Sequence, residues 1–186
     1  MRDRGLFWSP VPDWASARIE RAGLVVRPAS APAALHLASG DLAAIATAFR
    51  LEGTLGPRDP IPDGDYALRL APDRCLVVSG AATAGAAGAA AGLHLSEVTD
   101  GYLLIDVTGK AARDLLAQGT SYDFSDATVR PAESANLLIG RLRVAVARTG
   151  EGFRLHVERP TATALWTWLD EVSALGVGAE RHSSRA

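Results

Sequence analysis

The residues best suited to chemistry are few and far apart. Four histidines (His36, His94, His156 and His182) and one cysteine (Cys75) are spread along the chain. His156-Val157-Glu158 lacks the Pro-Cys-x-x-Cys partner of a zinc deaminase site. Residues i and i+2 of a strand share a face, so His156 and Glu158 are expected to form a solvated pair on the wet side of a hairpin. Cys75 falls in a predicted strand with Val77 on the same face; apolar burial makes a thiol inert, and core packing is its expected role. Asp100, Asp106, Asp123 and Asp126 flank predicted strand ends and turns, where Asp bonds to nearby backbone. A phosphate loop needs Gly-x-x-x-x-Gly-Lys-Ser/Thr, and around Gly109-Lys110 the first Gly is replaced by Leu104 and the Ser/Thr by Ala111. No Gly-x-Gly-x-x-Gly opens a helix after a strand, so a nicotinamide or flavin Rossmann site is not expected. These residues assemble no catalytic, cofactor or metal site on this chain.

The elements that would position such residues follow from periodicity. Leu24 to Val26 and Leu35 to Leu37 are short apolar stretches. Leu42, Ile45 and Phe49 then fall at helical spacing after a cap at Ser39 or Asp41. Gly53 to Gly64, with Pro57, Pro60 and Pro62, reads as a long surface loop. Tyr66, Leu68 and Leu70 alternate with polar or small residues, Pro72-Asp73 turns the chain, and Cys75 to Val78 returns as a second strand. Ala81 to Gly92 is alanine-rich and predicts a helix weakened by Gly85 and Gly88. Tyr102 to Val107 is an apolar strand with a tight exit at Gly109, and the following helix places Ala111, Ala112, Leu115 and Leu116 on one face. Leu142, Val144 and Val146 pair across the Thr149 to Gly152 turn with Phe153, Leu155 and Val157, a hairpin with one wet face. The last helix starts at Pro160, with Ala162, Leu165, Leu169 and Val172 in one stripe and Trp166 and Trp168 on opposite margins. Strand, helix, hairpin and helix thus occur twice, which predicts an α+β domain of two ferredoxin-like halves with mostly antiparallel sheet.

The chain has 186 residues, 48% of them hydrophobic, with 19 basic and 21 acidic side chains and a formal net charge of −2. This balance gives no positive field for nucleic acid or an anionic membrane surface. One cysteine closes no internal disulfide, and the start of the chain has no apolar h-region, so a soluble cytoplasmic protein is expected. The expected organisation is an N-terminal arm over 1–30, a single domain over 31–175 and a disordered tail over 176–186. The arm carries Phe7, Trp8 and Trp14 among prolines. With Trp166 and Trp168 these are the candidate partner-interface residues, because Trp is enriched at interfaces.

Three segments carry a family resemblance. They are Leu70-Ala71-Pro72-Asp73-Arg74-Cys75-Leu76-Val77-Val78; Val98-Thr99-Asp100-Gly101-Tyr102 through Val107-Thr108-Gly109-Lys110-Ala111-Ala112 to Gly119, with Tyr122-Asp123-Phe124; and Phe153-Arg154-Leu155-His156-Val157-Glu158-Arg159 with Leu165-Trp166-Thr167-Trp168-Leu169. In that order, over roughly Leu35 to Ala174, the chain resembles the gamma subunit of heterotetrameric sarcosine oxidase, a small relative of the glycine-cleavage T-protein (aminomethyltransferase) group. Cys75 stands where that family commonly has Trp, Val129 and Ala132 replace Phe and Gly, and Leu137 replaces Thr, which marks a divergent member. The resemblance implies a T-protein-like fold and a noncatalytic subunit packed on the alpha subunit. It implies alpha and beta partners, which carry flavin, NAD and tetrahydrofolate and oxidise an N-methyl amine, with delta as a further candidate partner. No ligand residue of the family carries onto this chain. The alternatives are the same role in an N-methylglutamate dehydrogenase-type or dimethylglycine-type complex, a stand-alone tetrahydrofolate-binding or one-carbon transfer protein, and a self-associating module.

Overall fold

In the computed structural model the described residues are 10–30, 34–80, 92–125 and 133–176. The elements run β1 (Ile19–Arg21), β2 (Leu24–Pro28), β3 (Ala34–Ser39), α1 (Leu42–Phe49), β4 (Tyr66–Ala71), β5 (Arg74–Ser79) and β6 (His94–Glu97). They continue with β7 (Tyr102–Thr108), α2 (Ala112–Ala117), β8 (Asn136–Ile139), β9 (Leu142–Arg148), β10 (Gly152–Glu158) and α3 (Arg159–Ala174). The α+β expectation holds. The strands form two antiparallel sheets, one ordered β1-β2-β7-β10-β9-β8 and the other β4-β5-β3-β6.

Side-chain alternation stacks these sheets into four layers. Ile105, Val107, Val144, Val146, Leu155 and Val157 face α2 and α3. The opposite face of the same strands carries Leu104, Ala145 and Ala147, which meet Leu35, Tyr66, Leu68, Leu76 and Val78 of the smaller sheet. Ala38, Ala67, Cys75 and Val77 point away from that contact and bury Ile45 and Phe49 of α1. Both faces of β9 and β10 are therefore covered over their central residues. There the hairpin has no wet face of the kind its alternation suggested, because a second sheet occupies the place assigned to water, while Arg143 and Glu158 near the strand ends stay exposed.

Local chemistry explains the element ends. Ala44 N–H donates to Asp41 Oδ1 at 2.8 Å, so Asp41 caps α1. Gly109 lies at φ +99°, and a Cβ there would sit 2.4 Å from Gly23 O. The missing side chain lets the exit of β7 approach the β1–β2 turn, where Ala111 N–H donates to Gly23 O at 3.0 Å. The predicted α3 stripe is buried at Ala162, Leu165 and Leu169, with Val172 packed beside it.

Residues 19–28, placed in the arm by the sequence reading, form β1 and β2 and extend the larger sheet through β7. The proline-rich loop is not simply a surface loop. Gly56, Pro57 and Arg58 are buried in it. Leu55 bonds with β4 through Ala67 O and Arg69 N, and Ile61 N–H reaches Arg148 O at 2.9 Å, so the loop straps one sheet to the other. Arg58 anchors it, donating to Asp123 O at 2.8 Å and lying 4.6 Å over the Tyr122 ring. The predicted helix over Ala81 to Gly92 and the tail lie outside the described residues, apart from Gly92 and Gly176.

Candidate functional site

The alternation of β10 sends Arg154, His156 and Glu158 toward the smaller sheet, and the register places Arg154 opposite Asp106 and His156 opposite Ala145. Asp106 does not flank a strand end, as expected, but sits inside β7. Its carboxylate takes two parallel bonds from Arg154, Nε to Oδ1 at 2.7 Å and Nη2 to Oδ2 at 3.0 Å. Such a fork matches carboxylate geometry and strengthens both bonds. The pairing holds the Arg154 guanidinium well above its ordinary pKa.

His156 is 1% exposed, which overturns its expected solvated pairing with Glu158. Its Nδ1 lies 3.2 Å from Ala145 O and its Nε2 lies 2.9 Å from Tyr66 Oη. A carbonyl only accepts, so Nδ1 carries the proton, Nε2 accepts, and the Tyr66 hydroxyl donates. Burial is the main cause that lowers the His156 pKa to about 4, helped by the Arg154 charge and opposed by the Ala145 bond. Burial likewise pushes the Tyr66 phenol up to about 12, against the pull of Arg154. At neutral pH the ring is uncharged with both nitrogens engaged, and the phenol keeps its proton. Tyr66 and His156 thus join the two sheets by a neutral hydrogen bond beside an ion pair.

Beyond His156, at the end of the sandwich where β4 turns into β5, the sheets leave between them a cleft of about 270 Å³. Cys75, assigned to the core, is fully buried, and burial raises its thiol pKa to about 11. Among the described residues no three His, Cys, Asp or Glu side chains are placed to hold a metal, and no helix is long and apolar enough to cross a membrane.

Of the five interface candidates, Phe7 and Trp8 lie outside the described residues. Trp14 meets Trp166 edge-on, with ring centroids 5.7 Å apart. Trp166 is buried against the helix-covered face of the larger sheet. Trp168 is half-buried over Gly119 and Gly140, where a Cβ would come within 2.6 and 3.0 Å of its ring. The sequence reading missed the Tyr66, Asp106, Arg154 and His156 cluster. A usable signal was present: one carboxylate within the apolar run Leu103 to Val107, with an Arg at the matching position of a later strand.

A model of the sarcosine oxidase gamma subunit family matches residues 30–175. Among solved structures, the chain is similar to one of the heterotetrameric sarcosine oxidase from Corynebacterium sp. U-96 in complex with pyrrole 2-carboxylate. The TM-score is 0.67 at 20% identity, over 84% of this chain and 87% of that one. No curated protein matches the chain. The likeness to the solved structure shows the fold, and the family model, spanning well over half of the sequence, shows that the chain belongs to the sarcosine oxidase gamma subunit family.

Proposed function

We propose that this chain is the noncatalytic gamma subunit of a sarcosine oxidase complex that oxidatively demethylates an N-methyl amine, sarcosine, and that it stabilises the complex by packing on the alpha subunit. On this reading the flavin, NAD and tetrahydrofolate are held by the alpha and beta partners. The observation that carries the subunit reading is the family match over residues 30–175. The noncatalytic part is supported by the closed state of the inter-sheet cluster, in which Asp106 is taken up by Arg154, and both nitrogens of His156 by Ala145 and Tyr66. A cluster already satisfied internally acts as a fastener rather than as a general acid or base. Phe7, Trp8, Trp14, Trp166 and Trp168 remain the proposed interface aromatics. Trp14 and Trp168 are the described ones that are only partly buried.

Co-expression with alpha and beta partners tests this. The expected result is co-purification with a flavin-absorbing protein and loss of complex stability when the chain is omitted. A chain that never co-purifies with flavin, yet gives a saturable calorimetric signal with tetrahydrofolate, would instead be a folate-binding protein of the T-protein group.

A further inference from the structure

The cleft beside His156 has walls of opposite character. One wall is apolar, with Leu37 and Leu70 of the smaller sheet; the rest is polar, with Arg74 from the start of β5, and Tyr102, Asn136, Arg143 and Glu158 from β7, β8, β9 and β10. Strand register makes this a designed face rather than a chance meeting of loops. Asn136 lies opposite Ala145, Ala145 opposite His156, and Glu158 opposite Tyr102, so all project into the same gap. His156 forms the floor but has no free nitrogen to offer.

Arg74 and Arg143 differ from the arginine deeper in the gap. Arg154 is taken up by Asp106, whereas among the described residues neither Arg74 nor Arg143 has a side-chain hydrogen bond or ion pair. Two permanent cations thus line the solvent-facing mouth of a cleft that also carries Glu158 and has an apolar wall. The guanidinium fork fits a carboxylate, and the Asn136 amide adds a donor. At about 270 Å³ the space lies just below the usual range for drug-sized ligands, so it suits a small group rather than a nucleotide. Glu158 penalises a dianion. We propose that this cleft is a receptor for a monocarboxylate, held between Arg74 and Arg143. The carboxylate has two sources, a free small acid or an Asp, Glu or C-terminal carboxylate of a partner subunit, and the site stands whether or not the chain is noncatalytic.

The test uses the full ¹⁵N-labelled chain, with acetate titrated at constant ionic strength and read on the arginine Nε–H and His156 ring signals. A free-acid site gives saturable shifts in the millimolar range, on the order of 1–10 mM, weakened about tenfold or more in Arg74→Gln or Arg143→Gln. Both side chains are exposed, and the variants are expected to fold. A partner site gives no saturable acetate shift, but the same variants weaken assembly with the flavin-bearing partner about tenfold or more, while the exposed control Arg113→Gln does not. Saturation by phosphate at lower concentration than acetate overturns the assignment. So does the absence of both effects; and if no complex assembles, the acetate titration alone decides.

Discussion

The two faces of the larger sheet are made from the same strands and solve different problems. Toward α2 and α3, Leu103, Ile105, Val107, Leu155 and Val157 form an apolar surface that one hydrophobic residue of suitable size could share with another. Toward the smaller sheet, Asp106, Arg154 and His156 meet specific atoms at specific distances. The first face supplies burial, and the second supplies register. A one-residue slip of β10 against β7 would turn Arg154 into the apolar layer and leave Asp106 unpaired. Apolar burial alone would make such a slip far less costly.

Breaking the apolar face carries the largest expected effect. Leu155→Ala, at a fully buried position, should lower unfolding free energy by about 3–4 kcal/mol in urea titrations, with activity of any complex lost only in step with folding. Acid sharpens the contrast from the other side. The folded His156 pKa of about 4 lies below the ordinary value of 6.5, so the unfolded chain binds the extra proton first. The stability that neutral His156 contributes is complete above about pH 6.5 and is lost as pH falls toward 4, by up to roughly 3 kcal/mol. The difference between the wild-type and His156→Gln stability profiles over that window isolates the effect; parallel profiles would remove it.

Arg154→Met should cost about 2–3 kcal/mol, less than a fully buried pair, because the Arg154 and Asp106 side chains keep 27% and 11% of their exposure. Tyr66→Phe leaves His156 Nε2 without its donor and should cost about 1–2 kcal/mol, measured by the same titrations. At the surface, the Arg21–Asp170 pair at 2.7 Å is 41% and 52% exposed, and Asp170→Asn should change stability by no more than about 0.5 kcal/mol. An Asp170 effect as large as that of Arg154 would erase the distinction between inner polar face and outer charge.

The same contrast marks what the sequence could reveal. The apolar face was readable throughout: the Ala111, Ala112, Leu115 and Leu116 helix, the α3 stripe and the alternation of β9 and β10 all bury as their periods imply. The polar face was misread because alternation reports which residues share a side, not what lies against that side. Arg154, His156 and Glu158 match a solvated face until a second sheet, drawn from residues far earlier in the chain, is laid over the first two of them. Arg58 was hidden for a similar reason. Proline and glycine content reveals that Gly53 to Gly64 cannot be a regular element, yet says nothing of the Tyr122 ring and Asp123 carbonyl awaiting its guanidinium. The T-shaped packing of Trp14 on Trp166 likewise depends on β1 and β2 joining the larger sheet. That step lies between segments no local pattern connects.

Cys75, at the back of the smaller sheet beneath α1, gives the molecule an internal clock. It is the chain's one sulfhydryl, with no solvent exposure and its acidity suppressed to a pKa of about 11. A disulfide reagent can therefore modify the protein only at moments when α1 lifts or the sheet parts. At saturating reagent the labelling rate counts those openings directly, and ligands or partner subunits that tighten the sandwich will slow it without any probe being engineered in.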